Sequence, residues 1–198
     1  NVVPSGNVAV DVVDTSIAAF LLEAKGEAIQ ISSFKLSFKL SGGEDGTQID
    51  NVIIVDENGA TVAGPKDATA TEDVTFSDTW TVPVGAHVFK MKAKLTTGFD
   101  ADRTIEASVD PDGDITAKGL TTGLTVTPSP TSSTSANVMT VKRASLGVSI
   151  GETPQNQNVV RGINSFLFSK VVYDAGASGE ALRITKQELT ITPAGAAS

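Results

Sequence analysis

The chain has 198 residues, 40% of them apolar and only 5% aromatic, with a net charge of -8 and no cysteine. That length suits one large domain or two small ones, with a core of small β-branched residues. The charge argues against nucleic acid, whose phosphates need a basic surface, and the missing cysteines exclude disulfides and thiolate metal sites.

Membrane insertion is not expected either, because no apolar run approaches the roughly 18 residues of a spanning helix. The acidity also speaks against electrostatic docking on an anionic membrane and is read as a source of solubility. The chain begins at Asn1 rather than Met. It is therefore expected to be a processed protein or a piece of a longer one, with export the expected reason for processing.

After a turn-like start, Val8, Val10 and Val12 alternate as a strand does. Residues 17–24, IAAFLLEA, suit a buried strand, although Ala, Leu and Glu also favour helix. Residues 26–42 form the longest patterned stretch, and 42–50 are a turn cluster. A hairpin follows, with strands at 52–55 and 60–63 around Glu57-Asn58-Gly59. Over 74–82 Val74, Phe76, Trp80 and Val82 share one face. Asp78 interrupts that face and predicts a bulge or an edge position. From 88 to 95 Phe89, Met91, Ala93 and Leu95 alternate with Lys90, Lys92 and Lys94, as in a strand with one wet face. Short strands are expected within 103–109, 113–120 and 123–128. This density of strands and turns over 17–127 reads as a β-sandwich. Residues 128–136, PSPTSSTSA, lack charge and apolar period and read as a linker. A strand pair or one long strand is expected over 138–150.

Residues 26–42, GEAIQISSFKLSFKLSG, return as GEALRITKQELTITPAG at 179–195. Gly26, Glu27, Ala28, Ile31, Leu36 and Gly42 meet identical residues. The phasing repeats as well. Ile29 and Ile31 set one alternation, and Leu36, Phe38 and Leu40 the opposite one; Leu182 and Ile184, then Leu189 and Ile191, switch in the same way. A phase switch inside a strand predicts a bulge or a strand that crosses between sheets. The expected counterpart of 17–24 is 166–175, FLFSKVVYDA. An internal repeat of this kind divides the chain into a unit over 1–127, a linker over 128–137 and a second, partial unit over 138–198.

The second unit stops just after its central strand. Residues 145–198 alone are too few for a secure core, and open strand edges associate. The missing strands are expected from the same chain, from a neighbouring subunit or from a longer repeat protein. Completion by a neighbour would be head-to-tail and would build a homopolymer.

The chain also carries NVIIVDENGATVAGP, FSDTWTVPVGAHVFKMKAKLTTG and the closing ITAKGLTTGLTVTPSPTSSTSANVMTVKRASLGVSI. Together with the repeat, these segments resemble the tandem Ig-like repeats of large surface proteins of candidate-phylum bacteria and related prokaryotic surface-layer and fibre proteins. The resemblance runs over residues 7–195. It implies Ig-like units and an extracellular or cell-surface protein with a structural or adhesive role. The chain departs from that pattern by starting and stopping mid-unit.

Asp110, Asp112 and Asp114 alternate around Gly113 and would suit calcium, without the distal Glu of an EF-hand; a solvated turn is the simpler reading. The single histidine, His87, sits at a strand start and is read as solvated rather than as a triad member. Trp80 and Tyr173 stand alone, too few aromatics for a sugar platform, and Trp80 reads as packing. No phosphate loop occurs.

The expectation is therefore an all-β protein, an Ig-like β-sandwich unit followed by a second, incomplete sandwich unit, that self-assembles and is no enzyme. The expected shared strands carry Val8, Val10 and Val12 at one end and Leu182, Ile184, Leu189 and Ile191 at the other. The alternative is an adhesin or carbohydrate-binding sandwich, with calcium at 110–114 as its only candidate cofactor.

Overall fold

A computed structural model describes residues 3–190. The strands are β1 (Gly6–Val8), β2 (Thr15–Ala24), β3 (Ile29–Leu40), β4 (Ile49–Val55), β5 (Thr61–Lys66), β6 (Asp73–Phe76), β7 (Trp80–Val82), β8 (Gly85–Leu95) and β9 (Thr104–Val109). A short helical turn, α1 (Pro111–Asp114), precedes β10 (Ile115–Gly119), β11 (Thr125–Val126), β12 (Thr134–Ser135), β13 (Met139–Val141), β14 (Gly147–Ile150) and β15 (Val171–Asp174).

The strand β3 is the axis of the larger sheet. On one flank β10 runs beside its first half and β9 beside its second; on the other flank lie β7 and β6. The expected phase switch is a bulge. Ala117 pairs with Ile31 and Thr116 with Ser33, which leaves Ser32 as the extra residue. Ile31 is buried before the bulge, and Phe34, Leu36 and Phe38 after it. The neighbouring strand breaks at the same level. β6 and β7 are one strand line interrupted at 77–79, where the Asp78 carboxylate accepts a hydrogen bond from the Gly64 N–H.

The smaller sheet has the order β2-β8-β4-β5. Along β8 Phe89, Met91, Ala93 and Leu95 are buried while Lys90, Lys92 and Lys94 are only partly so. Lys94 pairs with Asp11 at 2.6 Å. The two sheets close on one core that includes Ile17, Leu36, Phe76, Met91, Leu95 and Ile105. The protein is an all-β sandwich. Among the described residues no helix is long and apolar enough to cross a membrane.

The structure moves the boundary expected at 128–137. Thr134 and Ser135 pair with Val109 and Ser108, and the Ala136 N–H donates to Ala107 O. Met139 and Val141 are buried in the sandwich core, where β13 joins β9 on one side and runs parallel to β1 on the other. A Pro/Ser/Thr-rich stretch resembles a linker because it lacks an apolar period. Here it is held by main-chain hydrogen bonds, which composition does not report.

Beyond Val141 the described chain contributes nothing to that core. β14 and β15 pair antiparallel, and every residue of β14 is exposed. The strand expected over 166–175 is confined to 171–174, and that expected through 182–190 does not form. Leu36 is 0% exposed, whereas its repeat partner Leu189 is 73% exposed. A central-strand sequence needs a neighbour on each flank, and the tail supplies none.

This contrast gives a first expected outcome. Leu36→Ala lowers the unfolding free energy of the sandwich by about 2–5 kcal/mol, whereas Leu189→Ala changes it by less than about 0.5 kcal/mol. Urea denaturation followed by Trp80 fluorescence reads both.

Candidate assembly site

The clearest concavity is an apolar groove of about 320 Å³ along the open edge of β2. β2 has β8 on one side and is the edge strand of its sheet. Its sequence alternates Ala18, Phe20, Leu22 and Ala24 against Ala19, Leu21 and Glu23. In the first set Ala18 and Ala24 are buried and Phe20 and Leu22 partly so; in the second Leu21 is 65% exposed and Glu23 exposed, while the small Ala19 is buried. Phe20 meets Phe34 of β3 edge-on at 6.4 Å and is fixed by it.

The facing wall comes from the larger sheet, with Ile115 and Ala117 of β10, Val126 of β11 and the turn around Pro128 and Pro130. Ile29 and Ile31 lie between the two walls. On this side β11 and β12 pair at only two positions each. The sandwich is thus closed along its β1–β13 edge and open along this stretch of β2.

Glu27 braces the far wall. Its carboxylate accepts from the Thr121 N–H at 2.7 Å, the Thr122 N–H at 3.0 Å and the Thr122 hydroxyl at 2.7 Å. These bonds hold the turn between β10 and β11. A Cβ at Gly119 would lie 2.4 Å from Glu27 Oε1, so any larger residue there would displace the Glu27 carboxylate from this brace. The hydrogen bonds from Thr122 and Thr121 hold the Glu27 carboxyl below its usual range.

The acidic cluster is not assembled as a metal site. Asp114 Oδ1 pairs with Lys35 Nζ at 2.9 Å, and its Oδ2 accepts from the Asp110 N–H at 2.8 Å. Asp112 points to solvent on the other side of the one-turn helix. No group of three His, Asp or Glu side chains that could hold a metal occurs among the described residues. The geometry favours the turn reading of 110–114 over the calcium reading: Lys35, projecting from β3, already neutralises Asp114. Hydrogen bonding and attraction from Asp114 raise the Lys35 pKa.

Trp80 is 6% exposed and tilted against Phe34 at 5.7 Å, so its ring is core and offers no sugar platform. His87 Nδ1 lies 3.2 Å from Glu57 Oε1.

The strand residues expected to be shared separate into two groups. Val8 is buried, and β1 is already paired with β13 of its own chain; Val10 packs against the core, whereas Val12 is exposed. Val8 is thus engaged in cis and Val10 is packed on the core, which corrects their expected role in a free strand, while Val12 lies in no strand. Leu182 is half-buried and Ile184 and Leu189 exposed, all without a strand partner. Ile191 lies outside the described residues.

The groove itself was missed in the sequence. Its signal was present in IAAFLLEA, where Leu21 makes both faces of an edge strand apolar. Compared with protein families, curated proteins and solved structures, the chain matches none.

Two outcomes follow from the braces. Because the folded-state pKa of Glu27 is depressed, its stabilisation is present above the ordinary Glu range and is lost as pH falls through the lowered value. Glu27→Gln should therefore melt below the parent protein near pH 7, and the difference should shrink on acidification; melting curves from pH 7 to pH 3 check this. Lys35→Met should lower stability by about 1 kcal/mol, since it leaves Asp114 unpaired, while added calcium or chelator leaves the melting temperature of the parent unchanged.

Proposed function

We propose that this is an extracellular structural protein that assembles head-to-tail into a filament or surface layer by β-strand complementation between Ig-like units. The supporting observation is an asymmetry within one chain. The sandwich has an apolar groove along an unpartnered strand edge, and the tail beyond Val141 exposes apolar side chains in strand-like alternation with no core to receive them. Val148, Ile150, Phe168 and Leu189 are each more than half exposed.

Water-exposed apolar strands beside an open sheet edge form an association site. Main-chain hydrogen bonds supply affinity in such a union, and alternate side chains supply register. Donor and acceptor lie on different parts of the chain, so the contact is heterologous and propagates instead of closing as a dimer. The internal repeat supports the same reading, since the tail begins a second unit that a neighbouring copy can complete. The apolar lining of the groove favours a strand over a sugar, and no second reading has an observation of comparable weight.

Negative-stain electron microscopy of the purified protein tests the proposal. Regular fibres or sheets are expected. Replacing Val148, Ile184 and Leu189 together by Asp should abolish them while the sandwich keeps its melting transition. Monodisperse particles at high protein concentration would overturn the reading.

A further inference from the structure

The internal repeat identifies which strand belongs in the groove. The copies lie 153 positions apart, as Gly26 and Gly179 show, and the same offset places Phe20 on Tyr173 and Ala24 on Ala177. This offset shifts the expected counterpart of 17–24 from 166–175 to 170–177, and the residues 171–174 of β15 are thus the counterparts of 18–21 in β2. In the tail β15 has a neighbour: β14 pairs with it antiparallel, with Gly147 opposite Asp174, Val148 opposite Tyr173, Ser149 opposite Val172 and Ile150 opposite Val171. In the sandwich the corresponding stretch of β2 borders the open groove.

The strand edges correspond as well. Thr96 N donates to Gln48 O on the β4 side of β8, and Asp11 N donates to Leu95 O on the β2 side. Even-numbered residues of β8 therefore bond to β4 and odd-numbered ones to β2. Ala18, Phe20 and Leu22 face Met91, Phe89 and His87, so these three engage β8. Ala19, Leu21 and Glu23 turn their N–H and C=O groups to the free edge. In the tail Gly151 N donates to Lys170 O at 2.7 Å. Lys170, Val172 and Asp174 are then the residues bonded to β14, and their counterparts are Ile17, Ala19 and Leu21. The edge of β15 that β14 covers is the edge of β2 that lies bare.

Resting on the assembly reading above, we infer that the groove of one copy takes residues 146–150 of a second copy, antiparallel to β2, with Gly147 opposite Leu21, Val148 opposite Phe20 and Ile150 opposite Ala18. Side-chain direction supports this register. Directly opposed residues share a face, so Leu146, Val148 and Ile150 point inward with Leu22, Phe20 and Ala18. Ser145, Gly147 and Ser149 lie opposite Glu23, Leu21 and Ala19, the first two of which are exposed. The three apolar donors are 43%, 61% and 68% exposed where they now lie. Pairing with β15 satisfies the backbone of β14 but buries none of its side chains; pairing with β2 of another copy does both.

The absence of native cysteine makes the test direct. Opposed residues of an antiparallel pair are within disulfide reach, and Leu21, at the rim of the groove, is 65% exposed. A mixture of the single variants Leu21→Cys and Gly147→Cys should oxidise to a disulfide-linked dimer containing one chain of each. The double variant should give a ladder of multimers on a non-reducing gel. A synthetic peptide of residues 143–152 should raise the melting temperature of the full chain and suppress fibres, whereas the same peptide with Val148→Asp and Ile150→Asp should do neither.

Fibres that fail to cross-link between 21 and 147, but do so between Leu21→Cys and Leu189→Cys, would overturn this donor while leaving head-to-tail assembly intact. An intramolecular disulfide in the double variant would also overturn it, by showing insertion within one chain. Absence of fibres, cross-link and peptide effect together would remove both the donor and the assembly reading.

Discussion

β3 runs for twelve residues and takes four strands as neighbours, with partners on both flanks at Ile29–Ile31, Phe34 and Ser37, and the rest of the sandwich is arranged around satisfying it. A backbone this deeply placed needs partners for its N–H and C=O groups, supplied mostly by these strands and, at Phe38 N, by Glu72 O. The bulge at Ser32 then changes which side chains face the core, with Ile31 inward on one side and Phe34, Leu36 and Phe38 on the other. The neighbours bend with it. One strand line breaks at 77–79 and the other detours through α1 beside Lys35, where the ion pair to Asp114 holds the detour in place.

The tail shows the same constraint unmet. Residues 179–190 carry the pattern of β3, down to the shared Gly-Glu-Ala start and the shared Ile and Leu positions, yet they form no strand. Nothing in their local sequence forbids one. What differs is the supply of neighbours: β3 has four partner strands, whereas among the described residues no strand pairs with Ile184 or Leu189, and both are exposed. Strand formation here is a property of the sheet and only secondarily of the segment.

This explains what could be read in advance. Period-two patterns located the buried faces of β3, β6, β7 and β8, because each has one wet face and one dry face and the sequence records the difference directly. The bulge was legible as a change of phase, and the break near Asp78 as a polar residue on an apolar face. The extent of the sandwich was not legible. β12 and β13 close it through backbone pairing at Thr134, Ser135 and Thr140, where side-chain type says little, and the Pro/Ser/Thr composition around them imitates a linker. The groove was hidden for a related reason: it is an absence beside β2, and a sequence lists strands without listing their vacant neighbours. The carboxylates of 110–114 had suitable spacing for a cation, but Lys35 is 75 or more positions away in the chain and its arrival is a tertiary event.

An open apolar edge is ordinarily a hazard, since any exposed strand can add to it in any register. The proposed donor limits that freedom by composition. Leu146, Val148 and Ile150 alternate with Ser145, Gly147 and Ser149, so a slip of one residue would send two serines and a glycine into the groove and leave the three apolar side chains in water. A slip of two keeps the faces but withdraws one apolar side chain from a groove only about 320 Å³ in volume, with Phe20 fixed against Phe34 in its wall. The groove and its proposed donor would thereby specify one alignment between copies. An association that is both heterologous and fixed in register repeats the same step from copy to copy, and that repetition distinguishes an ordered polymer from an aggregate.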